Sequence, residues 1–299
     1  MKFDVILTNP PFQDTTRRGK TPHKLWIDFT RAVFARFLAD GGLLCQVSPS
    51  SFRSPNSIVL DLMKEHRTPL LRFDTGEHFP AIGSTFADYQ IWKEASDGRS
   101  TRVMANGRAF ELRLDPEVAY LPNDLTSEAL SIHRKVMFHP ERKLDGRWDY
   151  VTCHNIRLKD VDSTLSRTPT PRHPYRVFHT NNQVWWTSLL QDFATQRKVM
   201  WSRSGYTKPF YDPGTMGGTD MVYYVLVDSD RDGENLAHNL NLTLMRYIYK
   251  TAKWSGFGNE RVFASLPDLP RQVALADDEL FGLFSLTDRE VAHVRTVVG

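Results

Sequence analysis

Asn9-Pro10-Pro11-Phe12, directly after the run Asp4-Val5-Ile6-Leu7-Thr8, brings together residue types suited to gripping a planar amine. Two successive prolines stiffen the backbone and remove two N–H donors, which leaves carbonyl oxygens free to accept hydrogen bonds. The Asn9 amide oxygen and a proline carbonyl can both accept from one exocyclic amino group. Such a grip favours the geometry and developing positive charge of an amine attacking an electrophilic carbon. Phe12 adds a ring that can stack on a planar heterocycle, adenine being the obvious candidate.

These residues must be held by the elements around them. Residues 3–7 form a short apolar run that ends abruptly at the prolines, which predicts a strand. A polar loop over 13–23 contains Arg17, Arg18 and Lys20, and an amphipathic pattern over 26–37 predicts one helix, stopped by Asp40-Gly41-Gly42. Residues 43–47 read as a second buried strand ending at Ser48-Pro49, 58–66 as a helix, and 70–74 and 86–92 as further strands. Alternation of this kind predicts an α/β fold with a mainly parallel sheet, whose ligand sites lie at the carboxyl ends of the strands. Asn9 and Ser48-Pro49 both stand at such ends. After about Arg99 the pattern loosens. One helix is expected within 118–137, a proline-rich connector at 168–174, a β run at 222–227 and a late helix over 235–252. Two units follow, 1–115 and 116–299, the second a mixed α+β region.

Composition narrows the classes. The 299 residues carry 38 Lys plus Arg against 35 Asp plus Glu, a net charge of +3, which permits an anionic partner without requiring one. Two cysteines are too few for a disulfide framework or a Cys-rich zinc site, so a reducing cytoplasm is the default location. No apolar run approaches the roughly 20 residues that span a bilayer. No histidine spacing resembles His-Glu-x-x-His, so no metal site is expected, and Ser48 and Ser50 lack a Gly-x-Ser-x-Gly context.

The Asn9–Phe12 motif resembles the catalytic motif of adenine-specific DNA methyltransferases, (Asn/Asp/Ser)-Pro-Pro-(Tyr/Phe), in the form common to gamma-class and type IIG restriction-modification methylases. The likeness continues through 25–29 and 38–43, through Val47-Ser48-Pro49-Ser50-Ser51-Phe52, and through 73–79 with 83–89. Near the other end, 253–259 with Leu266-Pro267 is similar to the close of a type IIG target-recognition region. The resemblance implies a partial Rossmann-like methyltransferase sheet over 1–115, followed by a DNA target-recognition region. It further implies S-adenosylmethionine as methyl donor, double-stranded DNA as partner, and an adenine flipped from the duplex. Carried over, Asn9 and the Pro10 carbonyl hold the target amine on a corner stiffened by Pro11, and Phe12 stacks on the base. The sequence departs from the family in one respect. The usual glycine-rich donor loop precedes this motif, and only 1–8 precede Asn9 here, so a partner subunit supplying the donor-binding half is expected.

A permuted donor loop is the alternative for 211–219, with Asp228 gripping a ribose; the other reading of that stretch is a hairpin with Gly217-Gly218 as its turn. For DNA phosphates the candidates are Arg17, Arg18 and Lys20 in the first loop, and Arg203, Lys208, Lys250 and Lys253 in the second half. Trp185, Trp186 and Trp201 are expected in the core. The rival function is a non-catalytic DNA-binding protein derived from such a methylase.

Overall fold

The structure is a computed structural model that describes residues 1–13, 24–73, 75, 85–138, 143–154, 158–159, 162–180, 183–203, 208–253 and 260–299. The chain divides into two compact units, 1–130 and 131–299.

The first unit contains β1 (Phe3–Thr8), α1 (Leu25–Ala32), β2 (Leu38–Pro49), α2 (Ile58–Glu65), β3 (His66–Arg72), β4 (Phe86–Ala95), β5 (Thr101–Ala105) and β6 (Arg108–Leu112); α3 (Ser127–Met137) carries the chain into the second. The six strands form one sheet in the order β1-β2-β4-β3-β5-β6. β1–α1–β2 is a parallel βαβ unit, the building block of doubly wound sheets. The expected mainly parallel sheet is corrected to a mixed one. β4 inserts antiparallel between β2 and β3, and β6 is antiparallel to β5, with only β1–β2 and β3–β5 parallel. β5 and β6 follow each other through the two-residue turn Asn106-Gly107, both at positive φ, which admits no crossover helix.

Amphipathic spacing builds the helices as expected, with two differences at their ends. α1 buries Trp26 and Thr30, but regular α-helix stops at Ala32 and a wider π-turn over Val33–Phe37 leads into β2. β2 therefore begins at Leu38 and includes Asp40-Gly41-Gly42, which the sequence suggested as a helix stop. Gly41 takes a φ of +76°, and a Cβ on Gly42 would stand 3.0 Å from the Asp4 carbonyl oxygen. The glycines thus serve a bulge, where the β1–β2 register shifts between Phe3 and Val5. α2 opens with the Ser57 hydroxyl accepting from the Leu60 N–H, and turns Val59, Leu60 and Met63 inward.

The second unit has two small sheets. β10 (Lys198–Ser202) lies between β11 (Phe210–Asp212) and β13 (Val222–Leu226), while β8 (Tyr175–Phe178) lies between β9 (Val184–Thr187) and β12 (Gly217–Gly218), with β7 (Leu165–Ser166) beside β9. Phe178, Phe193, Met200 and Val222 form a core between strands, and the buried Trp201 donates its indole N–H to the Phe263 carbonyl at 2.8 Å. Trp185 is also buried and Trp186 half-buried. Helices α4 (Asp230–Asn239), α5 (Thr243–Thr251), α6 (Glu260–Phe263), α7 (Asp277–Leu283) and α8 (Asp288–Val298) complete the unit. The single helix expected over 235–252 is in fact α4 and α5. The break falls where side chains bond to backbone, most of it distant in sequence: Asn239 donates to the carbonyls of Pro270 and Val273, and Asn241 to those of Pro209 and Ala237. Such side-chain bonds to backbone compete with continued helix. Among the described residues no helix is long and apolar enough to cross a membrane.

Candidate active site at the end of strand β1

Thr8 pairs with Gln46, so Asn9 leaves the sheet beside the Val47–Pro49 end of β2. Asn9 is exposed, and its amide makes no hydrogen bond among the described residues. Pro10 is buried and anchors the corner, Pro11 is exposed, and Phe12 is half-buried. The Phe12 ring lies 5.1 Å from that of Phe86, tilted by 35°. Phe86 is buried and opens β4 opposite Pro49, so Phe12 is braced from below by the sheet. An acceptor side chain on a rigid corner beside a braced aromatic ring is an arrangement that can receive a planar amine.

The floor is a connected polar network. Gln46, buried, donates to the Thr30 hydroxyl and to the Tyr89 hydroxyl, both at 2.8 Å, and Thr30 donates in turn to the Trp26 carbonyl. These bonds tie α1, β2 and β4 together under the corner. Burial pushes the Tyr89 phenol well above its usual value, so it stays protonated. At the same end, the Ser50 N–H donates to the Thr85 carbonyl at 2.9 Å and their hydroxyls share a hydrogen bond. Arg72 makes a two-pronged pair with Asp88 at 2.8 and 3.0 Å, and Thr75 donates to Asp88 at 3.1 Å. Burial pushes the Cys45 thiol up, with the Asp88 charge adding to the shift, as suits an inert residue of β2.

Arg53, directly after Phe52 on the turn that follows β2, escaped the sequence reading. Its guanidinium lies 4.9 Å over the Phe73 ring, with a buried Nε that finds no acceptor and no carboxylate partner among the described residues. Burial pulls its pKa down to about 10, which leaves it cationic at neutral pH. The signal available in sequence was only a basic residue soon after Ser48-Pro49.

The other candidates are dispersed. Arg17, Arg18 and Lys20 lie outside the described residues, as do His23, His78 and 254–259. Lys208 and Lys253 are exposed, whereas Lys250, also exposed, donates to the Val297 carbonyl at 2.6 Å. Arg203 is only 6% exposed: its guanidinium lies 3.5 Å over Trp148, and it donates to the Asp220 carbonyl. That placement corrects the expectation of an arginine presented to phosphate. Its ring partners, Trp148 and Tyr223, both lie outside the aromatic–basic run in which the sequence places it.

The 211–219 stretch does not fit a donor loop, and Gly217-Gly218 is not a hairpin turn. Both glycines belong to β12, paired parallel with Val177 and Phe178. A Cβ on Gly217 would stand 2.1 Å from the Gln191 side-chain oxygen, and one on Gly214 2.5 Å from the Thr195 carbonyl oxygen. Asp212, buried and paired with the buried Lys198 at 2.6 Å, accepts from the N–H groups of Gly214, Thr215 and Met216. The loop is filled by its own chain, and it leads into β13 rather than a helix.

No protein-family model and no curated protein matches the chain. Among solved structures, it is similar to the Type IIL restriction-modification enzyme MmeI in complex with DNA, at 9% identity over 97% of this chain and a TM-score of 0.48. It is also similar to the ATP-dependent Type ISP restriction-modification enzyme LlaBIII bound to DNA, at 9% identity over 94% of this chain and a TM-score of 0.44. The chain spans 56% and 29% of the lengths of those two proteins. Likeness at this level carries no functional weight.

Proposed function

We propose that the chain is the catalytic and DNA-recognising part of an adenine-specific DNA methyltransferase, in which S-adenosylmethionine is held by another polypeptide segment. The observation that carries this reading is Asn9: exposed, its amide unbonded among the described residues, and set on a proline corner beside a braced Phe12. Asn9 and the Pro10 carbonyl would accept from the exocyclic N6 amine, and Phe12 would stack on the extruded ring. Double-stranded DNA is the partner that presents such a base, and Lys208 and Lys253 are the exposed candidates for its phosphates.

The donor falls to another segment because the glycine-rich stretch of this chain is packed shut, whereas β1 stands at the sheet edge with one side unpaired among the described residues. That same edge favours a second reading, a DNA-binding subunit that keeps the adenine corner without catalysing. Fluorescence of a duplex carrying 2-aminopurine at an adenine position tests the corner with this chain alone. Extrusion should raise the emission, Phe12→Ala should diminish the rise, and Asn9→Ala should leave DNA affinity within about twofold, the range of a group that acts mainly in the reaction. No rise with the intact chain would refute the adenine corner. A rise without methylation, once S-adenosylmethionine and the completing segment are both supplied, would select the second reading.

A further inference from the structure

At the end of the sheet opposite Asn9 lies a cleft of about 530 Å³ lined by Met63, Lys64, residues 66–69, residues 96–102, Glu111 and residues 113–116. Its position follows from strand direction. β1 and β2 end at Thr8 and Pro49, where antiparallel β4 begins; the cleft is built where β4 has ended and β3 and β5 begin. Pro69 has no N–H for the ladder, and the β3–β4 register shifts on both sides of Arg67, which parts the strands and opens the concavity.

The lining is cationic. Lys64, Arg67, Arg99, Arg102 and Arg113 face it, with His66, against the carboxylates of Asp97, Glu111 and Asp115. Two of those acids are taken: Asp97 pairs with Arg99 at 3.0 Å and Asp115 with Arg113 at 3.5 Å. Lys64 is held by Asp61 at 2.8 Å. Arg67 and Arg102 have no ion-pair partner among the described residues, and Glu111, opposite Arg102 in the β5–β6 ladder, closes no bridge with it. Ser100 adds a hydroxyl at the rim. Two free planar guanidinium forks in a cleft of small-molecule size match the geometry of phosphoryl oxygens.

We infer that this cleft is a second binding site, for a phosphoryl anion, held chiefly by Arg67 and Arg102. The anion comes either from a small phosphorylated molecule or from the DNA backbone, and the chemistry of capture is the same. The site stands apart from the adenine reading: it shares no residue with the Asn9 corner, and its failure would leave that reading intact.

Calorimetry with inorganic pyrophosphate, and salt-dependent binding of a plain 20-base-pair duplex, separate the two sources. The variants are Arg67→Gln with Arg102→Gln, and Arg108→Gln as an exposed control outside the cleft; thermal melts report whether each folds. Pyrophosphate binding that weakens about tenfold or more in the double variant, with an unchanged control, establishes a small-molecule site. Silence toward pyrophosphate, together with a salt slope for DNA reduced by about two in the double variant, assigns the anion to the backbone. If the intact chain binds neither probe, or if the double variant binds both as well as the intact chain, the proposal is overturned.

Discussion

Asn9 and Arg53, which follow β1 and β2, pose opposite physical questions at one end of the sheet. Asn9 is polar, exposed and without a side-chain hydrogen bond among the described residues, so removing its amide costs the fold little, and Asn9→Ala should melt within about 0.5 kcal/mol of the parent chain. Its expected loss is methyl transfer in the completed enzyme, by 10²-fold or more if it stabilises the developing charge. An equal loss of DNA affinity would place Asn9 in binding instead. Arg53 is a largely buried cation whose only described charge-related contact is the Phe73 ring. An uncompensated buried charge destabilises, so Arg53→Met should raise stability by about 1–3 kcal/mol, read as a higher melting temperature. If the guanidinium is kept for an anion brought by DNA, the same variant should bind duplex more weakly. A lowered melting temperature would show that Phe73 stacking outweighs the buried charge. Arg203 contrasts with both: its guanidinium packs over Trp148 and donates to the Asp220 carbonyl within the second unit, so its replacement should damage that unit rather than the salt dependence of binding.

Helix α8 shows an element held by one carboxylate. Thr287 accepts from the Glu290 N–H at 3.3 Å, and Glu290 accepts from the Thr287 N–H at 2.7 Å, which closes a capping box. Glu290 also accepts from Ser131 at 2.6 Å and Lys135 at 2.7 Å, and so ties α8 to α3. Burial alone would raise its carboxyl, but the Lys135, Ser131 and Thr287 hydrogen bonds together hold it below the ordinary glutamate range. Its contribution is complete above that range and is lost as pH falls through the depressed value, because the unfolded chain takes up the proton first. Glu290→Gln should therefore cost about 1–3 kcal/mol at neutral pH, with the gap to the parent narrowing on acidification in pH-dependent chemical denaturation. A constant gap would refute the linkage. Elements of this kind were partly legible in sequence, where amphipathic spacing located α1, α2 and the body of α3. Their interruptions were not, because the tertiary acceptors that draw Asn239 and Asn241 out of the helix lie about thirty residues away. Strand direction was equally hidden, since the short apolar runs of β3 and β4 read alike whichever way they run. The proline corner was legible because its effect is local, whereas the burial of Arg203 depends on Trp148, far away in sequence.

At the scale of the molecule, the unresolved tension is the outer edge of the sheet. β1 pairs with β2 alone among the described residues, yet Phe3, Val5 and Leu7 on one of its faces are 44%, 56% and 76% exposed. Stable sheets protect an edge with charge, proline, a bulge or a covering element; Asp4, the bulge beside it and the prolines after Thr8 guard the two ends of β1, and from Val5 to Thr8 nothing pairs with its outer side among the described residues. Phe29 and Phe37, 45% and 47% exposed, add apolar surface in the same unit. An exposed apolar edge of this kind invites pairing with another strand, and the methylase reading offers one candidate in the segment that would hold the donor. The isolated chain should accordingly self-associate as its concentration rises, and Val5→Lys, which sets a charge on the open edge, should suppress that association while leaving the melting temperature nearly unchanged. Sedimentation velocity over a hundredfold concentration range reads the outcome. A parent chain that stays monomeric throughout would mean the edge is already protected, and the need for another polypeptide beside β1 would lose its physical basis.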